Sequence, residues 1–519
     1  MRTRTIAAVL VLLVVGLAAA TPAAGAVDGT LKLGGIILDE IGDRSAVQET
    51  YNIYDGFNLA QIRLDGLLNS SNYLKLDLQD LNLDSRKGDL VYRVPGALKL
   101  TAGYDQHRQI FSPDGGMDSR RKDWKVGAEL TPVRRFSLSG YFNYLERDGD
   151  RLSYPARTVS GLGTGYDNSL WTGQVNAEFR ENGRGAAISF RKSEYDDALN
   201  PVANRAGYVW SGRLYAPMPF YDKWNNLVRG AIGVRKLSGS GLDYRLMSFQ
   251  YTAVVQPVSA FQLKYLFDAS QVDDAATRLR TDRFQNDLEA AYFYKYGRFN
   301  GGYGYEINDD DRTLTSYDSW NAGTEFHYGK YVSAKVDYAS RVKKDQEELT
   351  LLKDLEATQT RAKLDVRPLD GLVFGGDYAK REREFPDIDV QADGEVAGAF
   401  GRYTYAGWGA VSADYSYATD DYTDLAGGFS SCSNIVTGRL EFERVRNLRL
   451  ATGFTYLDIS RDLDIEKGMF FAEGAYTLLD HYRVEVKYNG YSYDDYILLD
   501  RYYTANVVQI NLAYDFRLK

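Results

Sequence analysis

The residues able to carry chemistry are few and scattered. Three histidines, His107, His327 and His481, stand far apart in the chain, and no HExxH or GxSxG lies near any of them. Neither a metallohydrolase nor a serine hydrolase is written here. One cysteine, Cys432, leaves no disulfide within the chain, and no CxxCH exists, so the chain attaches no c-type haem covalently. Asn308 to Asp311 cluster oxygen ligands in an expected loop, but without the spaced pattern and turn glycine of a calcium loop. The plainer reading is a solvated acidic loop. The mixed-charge run Arg381 to Glu384 reads likewise as a solvated strand end, and Cys432, in the expected loop 427–434, as an inert exposed thiol. No catalytic, cofactor-binding or metal-binding set emerges, and the chain is expected not to be an enzyme.

The charges that do carry information occupy alternate positions. Lys75 and Asp77 alternate with Leu74, Leu76 and Leu78; Lys99 and Asp105 belong to a segment with Leu98, Leu100, Ala102 and Tyr104 on the other face. Arg439, Glu441 and Arg449 follow, and then Arg483, Glu485 and Lys487 alternate with Val484, Val486 and Tyr488. Asp515 and Arg517 end the series opposite Ile510, Leu512, Tyr514, Phe516 and Leu518. A strand sends successive side chains to opposite faces, so each segment has one oily and one wet face. Segments of roughly ten residues, repeated from about Thr30 to the end, are the signature of a transmembrane β-barrel. Charges inside such strands must face water, so these twelve residues are expected to line a wet lumen. Their signs are balanced, whereas an ion-selecting pore tends to favour one sign at its constriction.

The N-terminus supplies a reason for the strands to reach a membrane. Arg2 and Arg4 precede an apolar run, Ile6 to Ala20, and Ala24-Gly25-Ala26 offers a cleavage site. Residues 1–26 are expected to be a signal peptide cleaved near Ala26, and 27–519 the barrel. No later run is long and apolar enough for a spanning helix. Tyrosine dominates the aromatic residues, 41 against 23 Phe and 6 Trp, and its amphipathic ring suits the rims of a membrane barrel. A net charge of −9, more acidic still once the leader's arginines are gone, argues against nucleic acid as a partner.

Counting segments and turns gives about 26 antiparallel strands in one all-β barrel. Short turns are expected at Pro95-Gly96, Pro132–Arg135, Glu181–Gly185, Tyr296-Gly297, Tyr328–Lys330, Pro368–Gly371, Arg444–Asn447 and Asp480-His481. Between them come longer polar stretches, among them Asp39–Asp55, Ser112–Asp123, Asp148–Asn168, Ser193–Gly207, Asn308–Ser319, Lys343–Gln359 and Thr419–Asn434. Outer-membrane barrels keep short turns in the periplasm and long loops outside, and an even strand number puts both termini inside. A solenoid would show a shorter fixed-offset repeat, and a sandwich rarely needs so many long strands. About 26 strands leave a hole some tens of ångströms across. Alternation beginning at Thr30 leaves no room for a plug domain, so the filler is expected to be another protein.

The segments ETYNIYDGFNLAQIRLDGLL and NYLKLDLQDLNLDSRKGDLVYRVPGALKLTAGYDQHRQ, within Glu49 to Gln109, resemble the N-terminal strands of the MtrB/PioB-type outer-membrane barrels. The similar elements are the loop ending in Tyr54-Asp55-Gly56-Phe57, the YLKLDLQDLNLD strand, and the strand ending in Gly103-Tyr104-Asp105-Gln106. The hairpins Arg120–Arg147 and Thr358–Glu384 have the same layout. The chain departs from the family in lacking a CxxC near the mature N-terminus, in its short loops, and in ending on Lys519 rather than an aromatic. The resemblance implies an outer-membrane barrel that sheathes a periplasmic multihaem c-type cytochrome, with an outer-surface cytochrome as a further partner and haem only on those partners. The resulting porin-cytochrome conduit would pass electrons across the outer membrane. The rival expectation is a solute-conducting porin.

Overall fold

The computed structural model describes residues 26–43, 55–69, 71–110, 118–150, 165–217, 225–239, 242–275, 278–310, 313–345, 354–424, 427–497 and 501–518. Residues 1–25 of the expected leader, and the middles of several expected loops, lie outside them.

Among the described residues, one antiparallel sheet of 26 strands makes up the fold. Each strand pairs with its chain neighbours, and the first, β1 (Val27–Gly42), also pairs with the last, β26 (Tyr502–Leu518), so the sheet closes. Closure removes both edges, which is what lets a sheet cross hydrocarbon without unpaired backbone. Val27 stands opposite Leu518, so both ends of the sheet lie at one rim. The expected short turns fall at that same rim. Asp370-Gly371, for instance, joins β18 (Leu355–Leu369) to β19 (Leu372–Phe385) with Gly371 at φ +88°, the positive value a two-residue hairpin needs.

The expected strand length is corrected. Most strands run 13 to 17 residues rather than ten. At about 3.4 Å per residue and a tilt near 40°, such a wall stands about 40 Å tall, against an apolar band of about 25 Å. Much of what reads as polar loop is therefore strand projecting beyond the band. Asn308–Asp310 ends β15 (Gly297–Asp310), and Cys432 lies inside β22 (Gly427–Phe442), opposite Thr419 of β21 (Gly409–Asp424). Once clear of hydrocarbon the outward face has no need of apolar residues, so the alternation fades while the hydrogen-bond ladder continues.

The apolar face points outward. Ile510, Leu512 and Tyr514 of β26 are exposed, whereas Val507, Asn511 and Ala513 on its other face are buried. Three strands break the height of the wall: β2 (Gly56–Leu67), β3 (Tyr73–Gln79) and β4 (Arg86–Val94) are shorter than the rest. Their leucines form a cluster of their own around the buried Leu74 and Leu76. The β3–β4 connection then folds inward. Leu83 packs on Ile36 of β1 and Val507 of β26, with Leu38 and Tyr491 beside them. Backbone hydrogen bonds from Asp80 to Ala60 and from Leu81 to Leu59 tie the connection to β2. Asn82 completes the tie, accepting from the Leu59 amide at 2.8 Å and donating to the Phe57 carbonyl.

Candidate functional site: the lumenal wall

Register assigns the twelve singled-out charges to faces. Lys75 and Asp77 stand opposite Asp65 and Arg63, on the face away from the buried leucines, and Asp77 accepts a hydrogen bond from Gln61 at 2.9 Å. Lys99 and Asp105, on β5 (Leu98–Ile110), share the face of Arg93 and Lys87. Arg439 and Glu441 pair on β22 at 2.7 Å, and Arg439 also reaches Glu473 at 3.6 Å. Arg449, on β23 (Leu448–Arg461), meets Glu443 at 3.1 Å. On β25 (Tyr482–Asp495), Arg483 meets Glu485 at 2.8 Å and Asp515 at 3.8 Å, and Lys487 stands opposite Gln509. Thr30 donates to Asp515 at 2.6 Å, and Arg517 meets Asp28 at 3.3 Å.

Residues of that face, drawn from strands as far apart as β23 and β2, converge on one recess of about 450 Å³. Its Gln509 and Asn511 alternate with the exposed Ile510 and Leu512, which sets the recess on the lumenal face. The recess is lined by Lys32, Gln61, Gln79, Asp80, Arg449, Glu473, Glu485, Lys487, Gln509 and Asn511, under the inward-folded connection. Four of the singled-out charges, Arg449, Glu485, Lys487 and, through Glu473, Arg439, thus come together beside the closing seam. Lys75, Asp77, Lys99 and Asp105 lie on its other flank. Lys32 escaped the sequence reading, although Leu31 and Leu33 flank it in the alternation that marks a wet position.

Much of the wall pairs its charges locally. Residues two apart on a strand share a face, and several opposite charges at that spacing pair with each other: Arg63–Asp65 at 2.9 Å, Asp123–Lys125 at 2.8 Å, Glu178–Arg180 at 2.7 Å, Lys335–Asp337 at 2.7 Å and Lys363–Asp365 at 3.4 Å. Cross-strand pairs add to them, such as Glu306, which takes Arg283 at 2.9 Å and Arg341 at 3.1 Å. Pairs this exposed contribute little stability. Their consequence is local neutrality: the wall is densely hydrogen-bonding without a field of one sign.

The other candidates take bland places. His327 shares a hydrogen bond of 2.8 Å with Glu325, His481 sits in a turn, and His107 stands opposite Arg121. Asn308 donates to Glu306 at 3.0 Å, and Asp310 is tied to Thr313 at 2.9 Å. Among the described residues no group of three His, Cys, Asp or Glu is placed to hold a metal ion.

The fold defines the class: a large closed barrel like those of bacterial outer-membrane receptors. No family model and no curated protein matches the sequence. Solved structures do resemble it. The siderophore receptor PirA from Acinetobacter baumannii aligns over 94% of this chain and 80% of its own, with 6% identity and a TM-score of 0.55. The copper transporter OprC aligns over 94% and 81%, with 9% identity and a TM-score of 0.51. At these identities the likeness is one of fold alone.

Proposed function

We propose that the protein resides in the bacterial outer membrane and sheathes a multihaem c-type cytochrome, forming a porin-cytochrome conduit for electron transfer. The observation carrying this reading is the size of the barrel together with its lining. Twenty-six strands at about 4.8 Å spacing, tilted near 40°, enclose a bore about 50 Å across between backbones. A wall of both signs, many of whose charges are already paired, is suited to lie against a polar protein surface along its length. The barrel itself contributes no redox group and no catalysis in this reading. Haem resides on the lumenal partner, with an outer-surface cytochrome as a second partner, and the barrel needs no plug of its own.

The test is to purify the tagged protein from its native outer membranes in mild detergent and record a reduced-minus-oxidised spectrum. Sharp c-type haem bands, at several haems per barrel and resistant to high salt, are expected. A haem-free barrel from cells with normal cytochromes would overturn the proposal. Steady ohmic conductance by that barrel in a planar bilayer would then establish the solute-porin alternative.

A further inference from the structure

The outward wall of β8 (Tyr166–Glu181) through β12 (Leu242–Val258) carries two features at adjoining heights. The first is a row of cations. Lys192 of β9 (Arg184–Asp197) stands opposite Tyr208 of β10 (Arg205–Pro217), Tyr208 opposite Lys236 of β11 (Asn225–Gly239), and Lys236 opposite Arg245 of β12. Directly opposed residues share a face, and like charges so placed repel unless an anion joins them. The counter-ions at hand are loose, with Lys192–Glu194 at 3.6 Å, Lys236–Asp243 at 3.9 Å, and Asp273 of β13 (Phe261–Asp274) standing opposite Arg245 without an ion pair to it. Arg245 has no ion-pair partner among the described residues. Lys192 also lies over the Trp171 ring, 5.0 Å from its centroid.

One step down the strands, this row gives way to Phe190, Trp210, Val234 and Met247 on the same face, with the first two rings 4.4 Å apart. Below them opens the second feature, an apolar groove of about 570 Å³. Its floor is small, at Ala177, Gly212 and Gly230, and its walls are Phe179, Ile232 and Phe249. From Lys192 down to Ile188 in the groove is about 13 Å along the strand, or about 10 Å in height at a tilt near 40°, so a lysine side chain extended upward from there reaches past a hydrocarbon half-thickness of about 15 Å. The cation row therefore lies at headgroup height at the rim away from the short turns, with a chain-shaped groove beneath it.

We propose that this face is a binding site for a phosphate-bearing lipid of the outer leaflet. Lys192, Lys236 and Arg245 would take the phosphate, and an acyl chain would lie in the groove. The inference rests on the membrane placement above but not on any lumenal partner. The probes are diphosphorylated lipid A, its phosphate-free counterpart and inorganic phosphate, each added to the detergent-purified full-length barrel. Binding is read by native mass spectrometry and by the shift in melting temperature, with haem content recorded separately.

The wild type is expected to retain and be stabilised by the phosphorylated lipid alone. The variant K192Q/K236Q/R245Q should bind it on the order of 100-fold more weakly. Gly230 is open, with nothing within 4 Å of an added Cβ, so G230L fills the groove without disturbing the wall and should weaken binding several-fold with every charge intact. Heat-modifiable gel mobility checks that both variants remain barrels. Undiminished lipid binding by either variant, or equal stabilisation by inorganic phosphate or the phosphate-free lipid, would overturn the proposal.

Discussion

Lys32 of β1 reaches over β26 to Glu485 of β25, at 2.7 Å, above the fully buried Ala513. The bond spans the seam where the first and last strands of the chain must find each other. Glu485 is also held by Arg483, at 2.8 Å, so the two partners are not equivalent. Losing Lys32 leaves the carboxylate with a second cation. Losing the carboxylate leaves Lys32 unpaired and facing Arg483, which keeps only the more distant Asp515, at 3.8 Å. We expect K32Q to cost about 0.5–1 kcal/mol and E485Q roughly 1–3 kcal/mol, measured by urea unfolding in micelles. Equal costs would show that the pair acts alone.

The same seam depends on Gly34. The β1–β2 register slips between Lys32 and Gly34, and a Cβ on Gly34 would fall against Asn511 Oδ1 and the Ile510 carbonyl of β26. The adjacent Gly35 has its nearest such neighbour at 3.9 Å. G34A should therefore cost at least about 2 kcal/mol, because backbone must move. G35A should stay within about 0.5 kcal/mol. Comparing the two unfolding midpoints isolates close strand approach from the general effect of replacing a strand glycine.

What the sequence made legible follows from where hydrocarbon presses on the chain. Within the band an outward position must be apolar, so alternation reveals strands such as Val484–Tyr488, and turn residues such as Asp370-Gly371 mark their ends. Above the band that pressure disappears. Thr419 opposite Cys432, and Asp421 opposite Ser430, are paired strand residues whose composition is that of a loop. The inward-folded connection had no signal either. Leu83 reads as one apolar residue in a polar stretch, and Ile36 and Val507 break the wet pattern of their own faces to receive it. The lumenal charges were legible one strand at a time; their pairing across strands required register.

Local neutrality of the lumen has an electrical consequence. With Lys363 held to Asp365 and Lys335 to Asp337, a barrel freed of any partner should show a reversal potential near zero under a salt gradient. The double variant D337N/D365N leaves both lysines unpaired and should move the reversal potential toward anion preference. A strong cation or anion preference in the unaltered barrel would show that the wall has a dominant sign after all.

Asp80 offers a test of the inward-folded connection through pH. Burial raises its carboxyl above the ordinary 3.8, while the hydrogen bond from Asn58 and the nearby Lys32 and Lys487 pull the other way. A carboxyl raised in the folded state favours folding when protonated, and that contribution is lost as pH rises through the folded value. At neutral pH the wild type thus carries a half-buried charge that the fold disfavours. Asparagine keeps an oxygen for Asn58, at present 3.2 Å from the carboxylate, and tolerates the left-handed φ of +50° found here. D80N should therefore unfold at an equal or higher urea concentration than the wild type at pH 7. Its advantage should shrink as the pH falls and vanish below 3.8, where both side chains are neutral. A D80N barrel less stable at pH 7 would show instead that the carboxylate is held by its lysines, and that the connection is anchored by charge rather than by Leu83.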